Sequence, residues 1–356
     1  MYEGGIAIFT HQVVQEDLQR IVGSKYIQWE ALRNKSILIT GANGMLARYM
    51  VYVLMHLNLR QDYNTKVIAL VRNAQKATKS FKDFGNSDLF QLLVQDVSEP
   101  LQVAGEINYI IHAASNASPR FFLEDPVGII RANTLGTMNV LELAKEKSVA
   151  NVLYTSTREI YGSMPAGKTE IVELDFGAVN CKELRAAYPE SKRLAETLFE
   201  SYHHQHQVPY TIVRLAHAYG PGMEISQDGR VMADFISDVV NGRDITLKSD
   251  GSAERAFIYL SDAVAGIFTV LLNGCNGEAY NIANETEPMM IRDVAAELVR
   301  LFPNQKVVFD IPVEQSQVYS KVNRVTLNTH KLESLGWRCQ VTLREGMKRT
   351  VASFMD

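Results

Sequence analysis

From Ser36 onward, short runs of apolar residues alternate with longer stretches in which apolar residues recur at helical spacing. This alternation is typical of a parallel β-sheet covered by helices on both faces, because strands buried on both faces are apolar throughout. The predicted strands occupy residues 36–40, 66–71, 89–95, 109–113, 151–156 and 210–216. Helices are predicted between them, most clearly over residues 126–147 and 188–204.

Two parts of the chain depart from this pattern. Residues 1–34 form an N-terminal extension with helical spacing over 13–22, and we expect it to pack onto the core. After about Ala216, loops rich in glycine, aspartate and proline separate shorter elements. The sequence therefore predicts one α/β domain over 35–216 and a smaller lobe over 217–356, with some segments of the lobe returning to the first domain.

Composition excludes several classes of protein. The 356 residues carry a formal net charge of −4, which provides no global basic field for binding nucleic acid. The three cysteines are far apart and lack metal-ligand spacing, so we predict neither disulfides nor a metal site, and a reducing cytoplasm fits them best. No run of eighteen apolar residues occurs, so no membrane span is expected.

A glycine-rich turn lies directly between the first predicted strand and a helix. Gly41 permits a tight turn, and Gly44 lets the backbone approach a pyrophosphate at the helix N-terminus. Asn43, Met45 and Leu46 belong to the same turn and are assigned to the cofactor site. A purely structural turn is the alternative. The context favours a dinucleotide and hence a Rossmann-type parallel sheet with helices on both faces, plus a smaller C-terminal substrate-binding lobe.

The second strand ends in Arg72, where NAD-binding folds usually place an acidic residue for the ribose. A guanidinium cannot accept a hydrogen bond from a ribose hydroxyl, but it pairs well with a 2′-phosphate. Arg72 therefore favours NADP. The alternative is that Arg72 stacks on adenine or faces solvent while NAD binds through other contacts. Asp96 and Val97 follow the third strand and are predicted adenine contacts.

Tyr188 and Lys192 stand four residues apart in a predicted helix, so both side chains project from one face. A free tyrosine has a pKa of about 10, but a neighbouring ammonium and a cationic nicotinamide both favour the phenolate. The phenolate can accept a proton from a substrate hydroxyl while hydride leaves to the cofactor. Such pairs also occur by chance on solvated helix faces. Their place in a chain with a cofactor turn favours catalysis.

Seven motifs in fixed order carry a family resemblance: TGANGMLA, HAAS, TSTREIYG, YPESK, RLAHAYGPG, ERAFIYLSDAV and YNIAN. From about residue 35 to the C-terminus the chain resembles the extended short-chain dehydrogenase/reductases that act on nucleotide sugars, most of all 4,6-dehydratases and UDP-glucuronate decarboxylases. The resemblance implies a tightly bound NAD or NADP that oxidises the sugar C4 and later returns the hydride. It also implies a homodimer that pairs helices 126–147 and 188–204.

The same resemblance assigns roles to individual residues. Thr157 helps Tyr188 to bind the sugar 4-hydroxyl, and Lys192 also holds the nicotinamide ribose. His112 lines the cofactor, and Asn133 begins the helix behind it. The other implied cofactor contacts are Ala113, Ala114 and Ser115. The implied substrate contacts are Ser115, Thr157, His217, Arg230, Val231, Arg255, Asn281 and Arg324.

The stretch Thr157-Arg158-Glu159 decides between reactions. By resemblance, Glu159 removes the C5 proton, which becomes acidic once C4 is oxidised, whereas a simple 4-epimerase needs no such base. In 4,6-dehydratases the residue before this glutamate is an acid that protonates the departing 6-hydroxyl, and a guanidinium is a poor proton donor. Arg158 can instead pair with a substrate carboxylate, which favours decarboxylation. The alternative is an outward arginine paired with a neighbouring acid.

Dehydration, 4-epimerisation and a catalytically silent cofactor-binding protein remain as alternative functions. His217 replaces an asparagine that often contacts the substrate diphosphate, and its charge is expected to vary with pH. On the two long helices, the apolar stripes are expected to face the core. They comprise Leu135, Met138, Leu141, Leu194 and Leu198.

Overall fold

The computed structural model describes residues 8–226, 228–311 and 326–355. The strands are β1 (Ser36–Thr40), β2 (Lys66–Val71), β3 (Phe90–Val94), β4 (Tyr109–His112), β5 (Asn151–Thr157), β6 (Glu170–Ile171), β7 (Tyr210–Leu215), β8 (His217–Tyr219), β9 (Ile245–Leu247), β10 (Glu254–Arg255), β11 (Phe257–Tyr259), β12 (Glu278–Ile282), β13 (Met289–Met290), β14 (Val307–Phe309) and β15 (Thr326–Leu327). The α-helices are α1 (Gln12–Val22), α2 (Met45–Gln61), α3 (Ala74–Ser80), α4 (Pro119–Glu124), α5 (Pro126–Lys147), α6 (Ala187–His206), α7 (Val231–Val240), α8 (Leu260–Asn273), α9 (Ile291–Leu301), α10 (His330–Glu333) and α11 (Leu343–Ala352).

The centre of the molecule is a seven-stranded parallel sheet in the order β12-β7-β5-β4-β1-β2-β3. This arrangement confirms the predicted Rossmann-type fold. The strands predicted over 36–40 and 66–71 and the helix over 126–147 have the predicted limits, and the other predicted strands and the 188–204 helix differ by one or two residues at their ends. Local apolar pattern specifies these elements because both faces of the sheet are covered.

Part of the second lobe returns to this sheet. Strand β12 pairs in parallel with β7, with Glu278 opposite Thr211 and Ile282 opposite Leu215. Helix α8 is buried along most of its length and packs beside the same strands. A separate core lies under α7, α9 and α11, where Phe235, Leu298 and Met347 are buried. The second lobe thus has its own core and also completes the edge of the sheet.

The N-terminal extension packs onto the core through α1. Val14 and Leu18 are fully buried, and α1 contacts α2 and α8. Its buried carboxylate, Asp17, accepts hydrogen bonds from the hydroxyls of Tyr49 at 2.8 Å and Tyr259 at 2.7 Å. Arg349 of α11 pairs with the same carboxylate at 2.8 Å. Extension, first domain and second lobe therefore meet at one ionised group.

The predicted core positions on the two long helices divide into two sets. Leu141 is buried and Leu198 is half-buried, as expected. Leu135, Met138 and Leu194 are 44%, 41% and 48% exposed, so their assignment to the core is wrong. Helices α5 and α6 pack side by side, and this packing turns the three side chains outward. In the described part of the chain, no helix is long and apolar enough to cross a membrane.

Candidate active site

A cavity of about 1810 Å³ lies between the carboxyl ends of the sheet strands and the second lobe. It brings together most of the residues predicted from sequence. Those that line it are Asn43, Gly44, Met45, Leu46, Ala113, Ser115, Thr157, Arg158, Glu159, Tyr188, Lys192, His217, Arg230, Val231 and Arg255. Arg324 lies outside the described residues.

The glycine turn after β1 has the geometry that a dinucleotide requires. Gly41 has φ +67°, and a Cβ there would lie 2.7 Å from Ala114 Cα and 2.9 Å from the Ala113 carbonyl oxygen. No side chain would fit at this position, because the backbone after β1 lies in close contact with the backbone after β4. Gly44 caps α2, whose first N–H groups face the cavity. Ser115 lines the cavity, and its Oγ has no hydrogen-bond partner in the described structure, which fits a site for a bound polar group.

His112 supports this turn from below. It is fully buried, which corrects the expectation that it lines the cofactor. The Thr137 hydroxyl donates to the Asn133 carbonyl, so it accepts from His112 Nε2 at 3.1 Å. Nδ1 then accepts from the Thr40 hydroxyl at 2.8 Å, and burial lowers the pKa of His112 to about 3, consistent with this neutral form. The Thr40 oxygen in turn accepts from two backbone N–H groups, those of residues 113 and 114, at 3.1 Å each.

Three predicted contacts are side chains buried away from the cavity. Asn133 does not begin its helix; it lies in the interior of α5 and donates to Ser191 Oγ at 2.9 Å. Val97 is buried against α5, so its side chain does not face the cavity. Asn281 is fully buried on β12, where its Oδ1 accepts from the Tyr161 hydroxyl at 2.6 Å. The substrate contact predicted for Asn281 is therefore wrong, because the side chain completes a buried hydrogen-bond network instead.

Arg72 and Asp96 lie at the ends of β2 and β3, outside the lining of this cavity. Arg72 Nη1 is 3.8 Å from Asp96 Oδ2, and the Arg72 side chain is 63% exposed. The nearby Asn43 side chain donates to the Asn73 carbonyl at 3.0 Å and so joins the glycine turn to the end of β2. The ends of β2 and β3 therefore lie next to the glycine turn, where the adenosine of a dinucleotide would follow its pyrophosphate.

Tyr188 and Lys192 project from α6 into the cavity, as predicted. The Tyr188 ring stacks on Phe122 with centroids 4.8 Å apart. Burial raises the pKa of Tyr188 to about 12; a hydrogen bond with Thr157 lowers it and the charge of Glu159 raises it. The charge of Arg230 also lowers this pKa, and Lys192 Nζ lies 5.9 Å from the centroid of the Tyr188 ring.

Lys192 is held in place by groups other than the tyrosine hydroxyl. Its Nζ donates to the Thr155 carbonyl at 2.8 Å and lies 4.6 Å from the Tyr154 ring centroid. Burial lowers the pKa of Lys192 to about 7, against the opposing charge of Glu196. Burial therefore opposes the ammonium form of Lys192.

The turn Arg158–Tyr161 is a short 3₁₀ helix capped by Thr157, whose Oγ1 accepts from the Glu159 N–H at 3.2 Å. Both carboxylate oxygens of Glu159 accept from Arg185 Nη2, at 3.1 Å each. Sequence reasoning missed Arg185, which lies in a short 3₁₀ helix, Leu184–Ala186, directly before α6. Its one signal in the sequence is its place three residues before Tyr188.

Four guanidinium groups surround His217. Burial, followed by the charges of Arg158, Arg255, Arg185 and Arg230, lowers the pKa of His217 to about 3. The expectation that its charge varies near neutral pH is therefore wrong. The ring stays neutral because a further positive charge is strongly disfavoured when the site is buried and already holds four guanidinium groups.

Two of these arginines have acidic partners and two do not. Arg185 pairs with Glu159, and Arg230 pairs with both oxygens of Asp228. Within residues 8–226, 228–311 and 326–355, Arg158 and Arg255 form no ion pair. Arg158 lines the cavity, so among the described residues it does not face outward against an acid. Burial lowers the pKa of Arg255 and the charge of Arg158 lowers it further, so the cavity holds uncompensated positive charge.

Known proteins resemble the chain over most of its length. Residues 37–283 match the model of the NAD dependent epimerase/dehydratase family. UDP-glucuronic acid decarboxylase 6 of Arabidopsis thaliana is 35% identical over 326 residues, covering 91% of this chain and 89% of the relative. UDP-glucuronic acid decarboxylase 1 of Xenopus tropicalis is 31% identical over 342 residues, covering 95% and 77%.

Solved structures show the same fold at lower identity. The crystal structure of UDP-glucose 4-epimerase from Thermotoga maritima, with UDP-glucose, has a TM-score of 0.74 to this chain and is 20% identical. The match covers 90% of this chain and 98% of that one.

Proposed function

Since the chain belongs to the NAD-dependent epimerase/dehydratase family, we propose that this enzyme acts on a nucleotide sugar and removes the carboxyl group of UDP-glucuronate. Curated relatives at 31–35% identity over about nine-tenths of the chain carry the name UDP-glucuronic acid decarboxylase. The cavity is lined by the kinds of side chain that such a reaction uses: a buried tyrosine and lysine, a threonine and a carboxylate.

The observation that carries the proposal is the guanidinium of Arg158, which has no acidic partner among the described residues and lines the cavity beside Thr157 and Glu159. Dehydration needs a proton donor for the departing 6-hydroxyl, and arginine does not give up its proton in proteins. A 6-carboxylate is an anion that a guanidinium can bind through two hydrogen bonds. Arg255, the second unpaired guanidinium, is then left for the diphosphate. A substrate with two anionic groups matches two uncompensated cations.

Oxidation at C4 is the first step. The glycine turn and Lys192 would hold a nicotinamide cofactor, which would supply the hydride acceptor for C4 and the source of the returned hydride. Tyr188 accepts the proton of the 4-hydroxyl, and Thr157 orients that hydroxyl through the hydrogen bond it shares with the phenol. Because burial opposes the phenolate, the ammonium of Lys192 and the positive charge of the cofactor must together favour it.

Loss of the carboxyl group follows from the new C4 carbonyl. The electron pair of the C5–C6 bond moves toward that carbonyl as CO₂ departs, so no base at C5 is needed. The resulting C4–C5 enolate then takes a proton at C5. Glu159 is the carboxyl group we assign to relay that proton from solvent water to C5, with Arg185 fixing its orientation through the two 3.1 Å hydrogen bonds. The role of Glu159 thus differs from abstraction of the C5 proton in a dehydratase.

The cofactor is NAD or NADP, and Arg72 favours NADP. The Arg72 side chain is exposed and is only weakly engaged by Asp96 at 3.8 Å, so it is available to a 2′-phosphate. Titration of NAD and NADP against the Arg72→Ala variant tests this preference. Weakening confined to NADP supports it, and equal effects on both cofactors contradict it.

We assign a homodimer that covers the outward apolar side chains of α5 and α6, among them Leu135, Met138 and Leu194. Light scattering should give about twice the chain mass of 39.9 kDa, and Met138→Glu should reduce it to that of one chain. An unchanged mass for the variant contradicts this interface. The proposed location is the cytoplasm, because three unpaired cysteines need no oxidising compartment.

The activity is tested by feeding UDP-glucuronate, UDP-N-acetylglucosamine and dTDP-glucose separately and following products by mass. Carboxyl loss from UDP-glucuronate supports the proposal. Loss of water, or isomerisation without change of mass, would assign a different reaction of the family. Absence of turnover on UDP-glucuronate by protein that retains its cofactor contradicts decarboxylation. Tyr188→Phe is the matched control, because its ring can still stack on Phe122.

A further inference from the structure

Arg48 is a buried cation that the reaction described above does not use. It lies on α2 one turn after the Gly44 cap, lines the cavity beside Met45 and Leu46, and is only 5% exposed. Its Nη2 donates to the Gly222 carbonyl, which belongs to the loop that opens the second lobe. Across the described ranges of the chain it forms no ion pair. One backbone carbonyl is therefore its one hydrogen-bond partner there.

A guanidinium this deeply buried requires an anion. Charged groups removed from water are strongly destabilised unless an opposite charge and hydrogen bonds compensate them. The N-terminal end of α2 adds positive potential at the same place, which further favours a bound anion. Arginine has five N–H donors, and the single bond to Gly222 leaves several of them without an acceptor. The cavity is a neighbouring space from which a ligand can supply that charge.

The position of the guanidinium is fixed from two sides. Gly222 has φ +73°, and a Cβ there would lie 2.6 Å from Arg48 Nη2 and 2.6 Å from Ile8 Cδ1. The absence of a side chain lets the loop, the extension and the guanidinium come into direct contact. Ile8 itself also lines the cavity. The second lobe therefore holds Arg48 through Gly222, and the N-terminal extension reaches the same place.

We propose that Arg48 binds a diphosphate and links its binding to the second lobe through the Gly222 carbonyl. Arginine suits this chemistry because its planar donors match phosphate oxygens. Two molecules at the site carry a diphosphate, the dinucleotide cofactor and the nucleotide sugar. The position one turn from Gly44 favours the cofactor. The inference rests on the proposed function for the identity of these ligands, but binding can be measured without turnover.

The test compares Arg48→Gln and Arg48→Lys with Arg60→Gln, a control at the exposed last turn of the same helix. Dissociation constants are measured for NADH, UDP, adenosine and uridine, and thermal melting verifies folding. We expect Arg48→Gln to weaken NADH binding about 10- to 100-fold, as for loss of a charged hydrogen-bonding partner. Adenosine and uridine should be unaffected, and Arg60→Gln should match wild type.

Weakening of UDP with NADH unchanged would assign Arg48 to the substrate diphosphate instead and would still support an anion site. If neither constant changes by more than about twofold in folded Arg48→Gln, the proposal is wrong. Should that variant not fold, Arg48→Lys decides, because it keeps the charge and loses the planar donor pair. Failure of decarboxylation on UDP-glucuronate leaves these binding results intact, so the two proposals can fail separately.

Discussion

Replacing Arg158 by glutamine should change which sugar the enzyme prefers. The variant keeps a polar side chain of similar reach but removes the charge that we assign to the substrate carboxylate. Because Arg158 has no acidic partner among the described residues, its removal breaks no ion pair there. The effect should therefore fall on the ligand rather than on stability.

The magnitude follows from the chemistry of the contact. A hydrogen bond to a charged group contributes about 1.5–3 kcal/mol, which corresponds to about 10- to 150-fold in affinity. Arg158 also repels Arg255, as the lowered pKa of Arg255 shows, so its loss alters diphosphate binding as well. That second effect is common to UDP-glucose and UDP-glucuronate. The ratio of their dissociation constants cancels it and isolates the carboxylate contact.

The assay is calorimetric titration of both nucleotide sugars into wild type, Arg158→Gln and the matched control Arg255→Gln. Wild type should prefer UDP-glucuronate, and Arg158→Gln should lose about 10- to 150-fold of that preference. Arg255→Gln should weaken both ligands to a similar degree. A preference that is unchanged in Arg158→Gln, or reduced equally by Arg255→Gln, refutes the assignment of Arg158 to the carboxylate.

Three further outcomes are expected. Tyr188→Phe should lower turnover about 10²- to 10⁴-fold while cofactor occupancy, read by absorbance, stays at the wild-type level; loss of the cofactor would indicate a structural role instead. His217 has a pKa of about 3 and gains its proton only far below neutral pH, so His217→Asn should leave the shape of the pH–rate profile unchanged between about pH 5 and 8; a lost ionisation in that range would contradict the neutral ring. Asp17→Asn should lower the free energy of unfolding in urea by about 3 kcal/mol, because Arg349 loses a buried partner. Glu16 is an exposed neighbour that also pairs with Arg349, so Glu16→Gln should lower the free energy of unfolding by at most about 1 kcal/mol. Equal losses for the two variants would show that burial does not determine the size of the effect.

Local pattern was enough to predict most of the fold and the chemistry of α6. The strands are short apolar runs. The tight turn at Gly41 needs a glycine, and the sequence shows one directly between a strand and a helix. Tyr188 and Lys192 share a face because helical spacing places them there. These features depend on residues close together in the chain.

What sequence reasoning missed depends on tertiary contacts. The partner of Glu159 is Arg185, 26 residues away in a short 3₁₀ helix, and no periodicity connects them. Asn281 belongs to a recognisable motif, yet its place on a buried strand makes it a partner of Tyr161. The lowered pKa of His217 results first from burial and then from the charges of arginines in four separate segments. Burial and charge at such positions are properties of the assembled molecule.

The pairing of β12 with β7 has a consequence for biosynthesis. On a ribosome, residues 210–215 emerge more than sixty residues before Glu278–Ile282. Until the later segment arrives, one side of β7 presents unpaired N–H and C=O groups, the kind of surface from which intermolecular aggregation starts. A fragment stopped at residue 216 would keep that border permanently open. A truncated form of the protein should therefore extend beyond Ile282.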